Sequence, residues 1–443
     1  MSLRPALLGL LCAVAGGLSA PGAPGRETTV FRDVNVVPMD RERVLPHRSV
    51  VVRGDRIVTI LPADAALPEG ARVIEGGGTA YLIPGLHDMH VHLLERGELL
   101  LYLANGITTV RNLHGLPRHL AWRDSIERGT LPGPRLVTSG PILDGHPPAR
   151  STNTVLRSAA DANRAVAAQK AAGYDAIKIY DNVPRDLYAA LGRAARRHGV
   201  PMVGHLPTPV GLAGLLEVGA QRGIEHVEEL LPLFDDGRDT SGLGSVAAGL
   251  RRAGVWVTPT LTVHRSALEQ ARDWAADQRR PELAYLHPGT ARSWGWTAAG
   301  EARSANPAAA ERFARTTAFF ERALVPALHQ AGVKLLAGSD APIPTIMPGF
   351  GLASELRALA AAGLTPYDAL VAATRNPAEF LGRGAWSGTV TPGRAADLLL
   401  LSANPLEDIG NVERRLGVMR AGRWHPQSEL RALMQRQVAA QNR

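Results

Sequence analysis

Between about Pro84 and Asp340 the chain repeats one pattern: an alanine-rich, helix-like stretch, a Gly, then a short apolar run that ends in polar residues. It reads "LANGITTVRN", "KAAGYDAIKIYDN", "RRHGVPMVGH", "RRAGVWVTPT" and "HQAGVKLLAGSD". A Gly ends a helix and an apolar run begins a strand, so each unit predicts a helix followed by a strand. With "YLIPGLHDMHVH", "PRLVTSGP" and "RGIEHVEEL" the count reaches eight strands, which over roughly 250 residues predicts a parallel (β/α)8 barrel, the TIM barrel of the α/β class. Such barrels place their chemistry at the C-terminal ends of the strands. In order, those ends carry His90 and His92, Arg111 and Asn112, Ser139, Lys178, His205, His226, Thr258 and Thr260, and Asp340.

The flanks have another texture. Residues 27–83 ("TVFRDVNVVPMD", "SVVVRGDRIVTILP") and 386–425 ("SGTVTPGRAADLLLLSANP", "LGVMRAGRWHP") read as short strands joined by turns such as "RGDR" and "EGGG". They are expected to pair into a small β-sandwich built from both ends of the chain, around a barrel of residues 84–385. Residues 426–443 predict a C-terminal helix. The segment 265–328, with Trp274, Trp294, Trp296, Phe313, Phe319 and Phe320, is too long for a plain connection. It predicts helices, either as a lid or packed outside the barrel.

A chain of 443 residues, 45% hydrophobic and 20% charged, suits a globular enzyme. Residues 1–25, "MSLRPALLGLLCAVAGGLSAPGAPG", have the positive start, short apolar run and small residues of a secretory signal, so an exported, periplasmic or secreted protein is expected. That run is too short to span a bilayer, and no later stretch predicts a membrane span. The only cysteine, Cys12, lies within it, which leaves the rest without a disulfide, thiol nucleophile or Cys ligand. The formal charge of +8 is scattered, with no basic stripe for nucleic acid. The expected partner is a small-molecule substrate; whether the chain also forms a homo-oligomer stays open.

His90 and His92 are two apart on one strand, so both side chains point the same way, as chelation of one metal requires. With His205, His226 and Asp340 on the same rim, three or four imidazoles and a carboxylate suit Zn, Mn, Co or Fe rather than Ca. In "AIKIY", Ile177 and Ile179 face outward while Ala176, Lys178 and Tyr180 face the interior. A buried ammonium there costs several kcal/mol unless compensated. Either a buried carboxylate pairs with it, or the neutral amine adds carbon dioxide to become a bridging carbamate. Arginine cannot do the latter. Of 49 Lys and Arg, only Lys170, Lys178 and Lys334 are lysines.

This ordered set of His–X–His, Lys, His, His and Asp resembles the amidohydrolase superfamily in its two-metal, carboxylated-lysine form. It is most similar to imidazolonepropionase-like and prolidase-like members. "PGLHDMHVH", "AGLTPYDALVAATRNPAEFLG" and "GTVTPGRAADLLLLSANPL" extend the likeness over almost the whole chain. The resemblance implies that His90, His92 and Asp340 bind a first divalent ion, His205 and His226 a second, and N6-carboxylysine at Lys178 both, with Zn foremost. It implies a bridging water acidified to about pKa 7, with Asp340 taking its proton and passing it to a leaving amine. The implied reaction is hydrolysis of a C–N bond in a small amide such as an N-acyl amino acid or dipeptide. Cyclic-amide (imidazolonepropionase-like) or lactone hydrolysis and deamination are alternatives. A non-catalytic ligand-binding barrel is the alternative of another class; it would have no need of Asp340.

Proline-directed members carry "GG" after the lysine strand and "HG" beyond the last aspartate; here those places read "KIYDNVP" and "MPGFGLASEL". Candidate substrate contacts are Tyr180, His146 in "LDGHPP", His114, and Arg111, whose fork would suit a carboxylate.

Overall fold

Residues 27–294 and 306–441 are described by the structure, a computed structural model. The expected signal segment 1–25 and Trp296 lie outside the described residues. Five strands come first: β1 (Thr28–Val36), β2 (Leu45–Arg53), β3 (Arg56–Pro62), β4 (Arg72–Glu75) and β5 (Tyr81–Pro84). Then β6 (Leu86–Val91), β7 (Ile107–Asn112) and β8 (Arg135–Thr138) form a parallel three-stranded sheet. A second parallel sheet holds β9 (Leu143–Asp144), β10 (Thr154–Val155), β11 (Ile177–Ile179), β12 (Met202–Gly204), β13 (Gln221–Glu225) and β14 (Trp256–Thr258), in the order β10-β9-β11-β12-β13-β14.

Isolated parallel bridges connect these pieces. Ser139↔Ala176 links the two sheets, while Val257↔Leu335 and Val91↔Ala341 tie the segment 335–341 to β14 and β6. Parallel pairing therefore runs from β6 round to residue 341 and returns to β6. On β11 the alternation puts Ile177 and Ile179 against Leu187 and Leu191 of the helix Arg185–His198. Ala176, of opposite parity, packs with Met89, Val203, Trp256 and Leu336. That helix ends at Gly199, φ 59°, a left-handed turn that a residue without Cβ adopts at no steric cost. The segment 265–328 holds helices whose Phe319, Phe320, Leu324 and Leu328 join the large central core. Among the described residues no helix is long and apolar enough to cross a membrane.

The chain closes with β15 (Leu398–Leu401), β16 (Arg415–Arg420), β17 (Arg423–Pro426) and the helix Gln427–Gln441. Strands from both ends of the chain belong to one eight-stranded sheet, ordered β17-β16-β15-β5-β1-β2-β3 with β4 also on β1. β15 runs antiparallel along β5, from Leu398↔Pro84 to Leu401↔Tyr81. The physical reason is that β5 has a free edge of unpaired N–H and C=O groups, which the four leucines of β15 cover. The sheet curls, since Ile57 N–H donates to Arg394 O and Gly393 N–H to Ile57 O. Inside the curl lie Phe31, Val50, Leu82, Leu398, Leu400 and Met419. Phe31 of β1 meets Trp424 of β17 edge to face, ring centroids 5.2 Å apart, so one aromatic pair joins the two chain ends. Phe31→Ala is expected to lower the unfolding free energy by about 3–5 kcal/mol in urea denaturation; a loss below about 1 kcal/mol would show that the pair is dispensable.

Candidate metal centre

The end of β6 and the segment after residue 335 are stitched together: Met89 N–H donates to Ala337 O, Asp340 N–H to His90 O, and His92 N–H to Ala341 O. This approach needs Gly338, where a Cβ would lie 2.8 Å from His90 Cβ and 2.6 Å from Thr258 Cγ2. Three side chains then converge. The Nε2 atoms of His90 and His92 are 3.3 Å apart, and Asp340 Oδ1 lies 3.3 and 3.1 Å from them. His226 (φ 74°), Thr260 (φ 51°) and Asp340 (φ 58°) all have left-handed backbones at or just past strand ends. Non-glycine residues hold that conformation only where the surroundings enforce it, and such strain gathers at functional sites.

Hydrogen bonds fix which nitrogen of each ring is free. His90 Nδ1 donates to Glu225 Oε2 at 3.1 Å. His226 Nδ1 is 2.8 Å from Thr260 Oγ1, whose own proton goes to Pro259 O, so the imidazole is the donor. His205 Nδ1 is 2.6 Å from Asp181 Oδ1 and 2.9 Å from Glu229 Oε1. In the rings of His90 and His226 Nδ1–H is held by an oxygen and Nε2 keeps its lone pair, the arrangement by which metal-ligating histidines are oriented; on His205 burial is outweighed by the hydrogen bonds to Asp181 and Glu229, which raise its pKa. The His90 and His226 rings are 4.5 Å apart, and those of His205 and His226 5.0 Å.

Charge completes the picture. Burial, with the nearby Lys178 charge, pushes His90 down to about 4, and burial holds His226 well below its usual value, so both imidazoles are neutral at pH 7. Burial alone would raise Asp340, but its contacts with the imidazoles of His90 and His226 and a hydrogen bond from His92 outweigh it and hold the carboxyl well below the ordinary carboxylate range. Lys178 is 1% exposed, and its Nζ has no hydrogen-bond partner. Burial lowers its pKa to about 8, against the pull of Glu225 and Asp340. Two convergent imidazole lone pairs, a carboxylate and an unpartnered amine make a donor set that fits a borderline divalent cation such as Zn.

Not every expected residue joins this centre. Arg111 is corrected: it is 2% exposed, and its Nη2 lies 2.8 Å from both oxygens of Glu225 while Nε donates to Met89 O at 2.6 Å. A guanidinium facing the interior needs an anion beside it, and Glu225 supplies one, so Arg111 is not placed to meet a substrate. His146 is exposed, with Nδ1 3.4 Å from Arg157 Nη2, apart from the cluster. His114 is half-buried, its ring 6.4 Å from His92. Tyr180 packs its ring 4.0 Å from His205, and its hydroxyl accepts from Arg150 Nε at 2.9 Å.

Sequence reasoning missed Glu225, Asp181, Glu229 and Arg150. For Glu225 a signal existed: it has the parity of Gly223 and Gln221 on β13, which makes it an inward acid next to His226. The other three stand in connecting segments, where parity says nothing. Among the described residues two groups bring three ligand atoms within 4.8 Å of one another: His90, His92 and Asp340, and Asp181, His205 and Glu229. His205 is thus grouped with two carboxylates rather than with His226, its implied partner.

Parallel strands paired in a cycle thus bring imidazoles and a carboxylate together at their C-terminal ends, in a group that could hold a metal ion. The model of the amidohydrolase family matches residues 81–425, and the chain belongs to that family. Among solved structures it is similar to a bottromycin amidohydrolase, 26% identical with a TM-score of 0.76 over 94% of this chain and 90% of that one. A putative prolidase from Bifidobacterium longum (24%, TM-score 0.69, 94% and 100%) and a Xaa-Pro dipeptidase with bound methionine (20%, TM-score 0.69, 90% and 100%) share the fold. No curated protein matches the chain. Membership in this family supports hydrolysis of C–N bonds.

Glu225→Gln leaves Arg111 buried without its counter-charge. It is expected to lower unfolding free energy by about 3–5 kcal/mol in urea, and an unchanged midpoint would show that Arg111 finds another anion.

Proposed function

We propose that the protein hydrolyses the amide bond of a small substrate that carries a carboxylate, such as an N-acyl amino acid or dipeptide, at a two-metal centre in a closed (β/α)8 barrel. The observation that carries this reading is the convergence of His90, His92 and Asp340 near a buried amine, Lys178, that nothing bonds. His90, His92 and Asp340 would hold one divalent ion and His205 and His226 another, with carboxylated Lys178 shared between them. Bound there, divalent ions polarise a carbonyl and acidify water. The pKa of Lys178 near 8 leaves about a tenth of it as neutral amine at pH 7, the form that adds carbon dioxide.

The chain's own groups then divide the work. Asp340, kept ionised by the surrounding imidazoles, accepts a proton at its carboxylate from the attacking water and returns it to the leaving nitrogen. Glu225 holds the His90 ring in the tautomer that frees Nε2. Arg150, bonded through Nε to the Tyr180 hydroxyl and with Cζ 5.6 Å from that ring's centroid, keeps further guanidinium donors near His114, where they would bind the substrate carboxylate.

Asp340→Asn is expected to lower kcat by at least 10²-fold while elemental analysis still finds divalent metal; full turnover would remove Asp340 from the mechanism. The wild type should hold about two ions per chain, and Lys178→Arg, which cannot form a carbamate, should hold fewer. Two ions and full activity in that variant would end the carbamate reading. Arg150→Ala should raise KM for carboxylate-bearing amides about tenfold or more with kcat little changed, and leave amidated analogues unaffected. Equal losses on both substrate types would exclude carboxylate recognition by Arg150.

A further inference from the structure

We infer that the opposite, N-terminal end of the parallel strands carries a second binding site, for a small oxyanion. A cavity of about 170 Å³ opens there among the starts of the strands, bordered by Arg111, Ala176, Val203, Arg222, Phe380 and Arg383. Two guanidiniums stand against the Phe380 ring: Arg111 Cζ at 5.0 Å from its centroid and Arg222 Cζ at 4.7 Å. Nη1 of Arg111 and Nη1 of Arg383 are both buried and have no hydrogen-bond partner. A buried charged donor without an acceptor costs more than the roughly 1–3 kcal/mol of a neutral one, so the site is incomplete as it stands.

The nearby carboxylates do not complete it. Asp175 borders the cavity, but its Oδ2 already accepts from Arg123 Nη1 at 3.2 Å and Thr138 N–H at 2.9 Å. The carboxylate of Glu379, beside Arg222, is paired with Lys334. Glu225 takes Nη2 of Arg111, which leaves Nη1 uncommitted. Three guanidiniums therefore border the cavity against one carboxylate, Asp175. Planar N–H forks of this kind match carboxylate and phosphate oxygens, and the volume admits only a small ion. Because Arg111 shares Glu225 with His90, an ion in this cavity touches the same chain of bonds that orients a metal ligand.

The test is calorimetric titration of the metal-loaded protein with inorganic phosphate and, separately, with acetate, at constant ionic strength. Saturable binding of either ion is expected, weakened at least tenfold in Arg383→Ala and in Arg222→Ala, each at unchanged metal content. The tighter ion identifies the ligand as a phosphate or a carboxylate. Absence of saturable binding by both ions would overturn the inference. So would binding of unchanged strength in both variants, which would place the ion at the metals instead.

Discussion

The carboxylate of Glu225, buried between Arg111 and His90, holds the interior of the parallel strands together. It accepts from both sides at once: Arg111 Nη2 at 2.8 Å and His90 Nδ1 at 3.1 Å. Burial would raise its pKa, but the guanidinium charge and the imidazole bond hold it well below the ordinary carboxylate range. Without Glu225 the interior would contain an uncompensated guanidinium, a loss of several kcal/mol. With it, the same atoms that neutralise Arg111 decide which nitrogen of His90 faces the mouth. A stability requirement and the orientation of a candidate metal ligand are thus met by one side chain.

A second constraint acts at the rim. Left-handed backbones at His226, Thr260 and Asp340 turn residues at strand ends into the mouth, and the contacts that hold them are bonds between neighbouring strands. The His226–Thr260 bond joins the ends of β13 and β14; Asp340 N–H to His90 O joins the last strand segment to β6. Lys178 sits among these groups as an amine that is neither paired nor fully charged, because burial outweighs the attraction of Glu225 and Asp340. The neutral imidazoles of His90 and His226 and the ionised Asp340 give this rim lone pairs and a negative charge, which a divalent cation would complete.

Much of this was legible in the sequence, and the reasons are local. The pattern of helix, Gly and apolar run marked the strands, and parity within "HDMHVH" and "AIKIY" put His90, His92 and Lys178 on inward faces. The scarcity of lysine made Lys178 stand out in an arginine-rich chain. Arg111 was seen, but its role was misjudged, since its partner lies 114 residues away on another strand. The same holds for His205: Asp181 is 24 residues off in a connecting segment, and no periodicity announces that it will turn toward the ring.

The sequence by itself determined which residue types face inward and where strands end, because side-chain direction follows from a period of two along one strand. Only the tertiary structure decided the partners: Glu225 for Arg111, Asp181 and Glu229 for His205, Arg150 for Tyr180, and β15 for the free edge of β5. Those pairings depend on the register between strands and on the course of loops. Both are set by the packing of the whole chain rather than by the order of neighbouring residues.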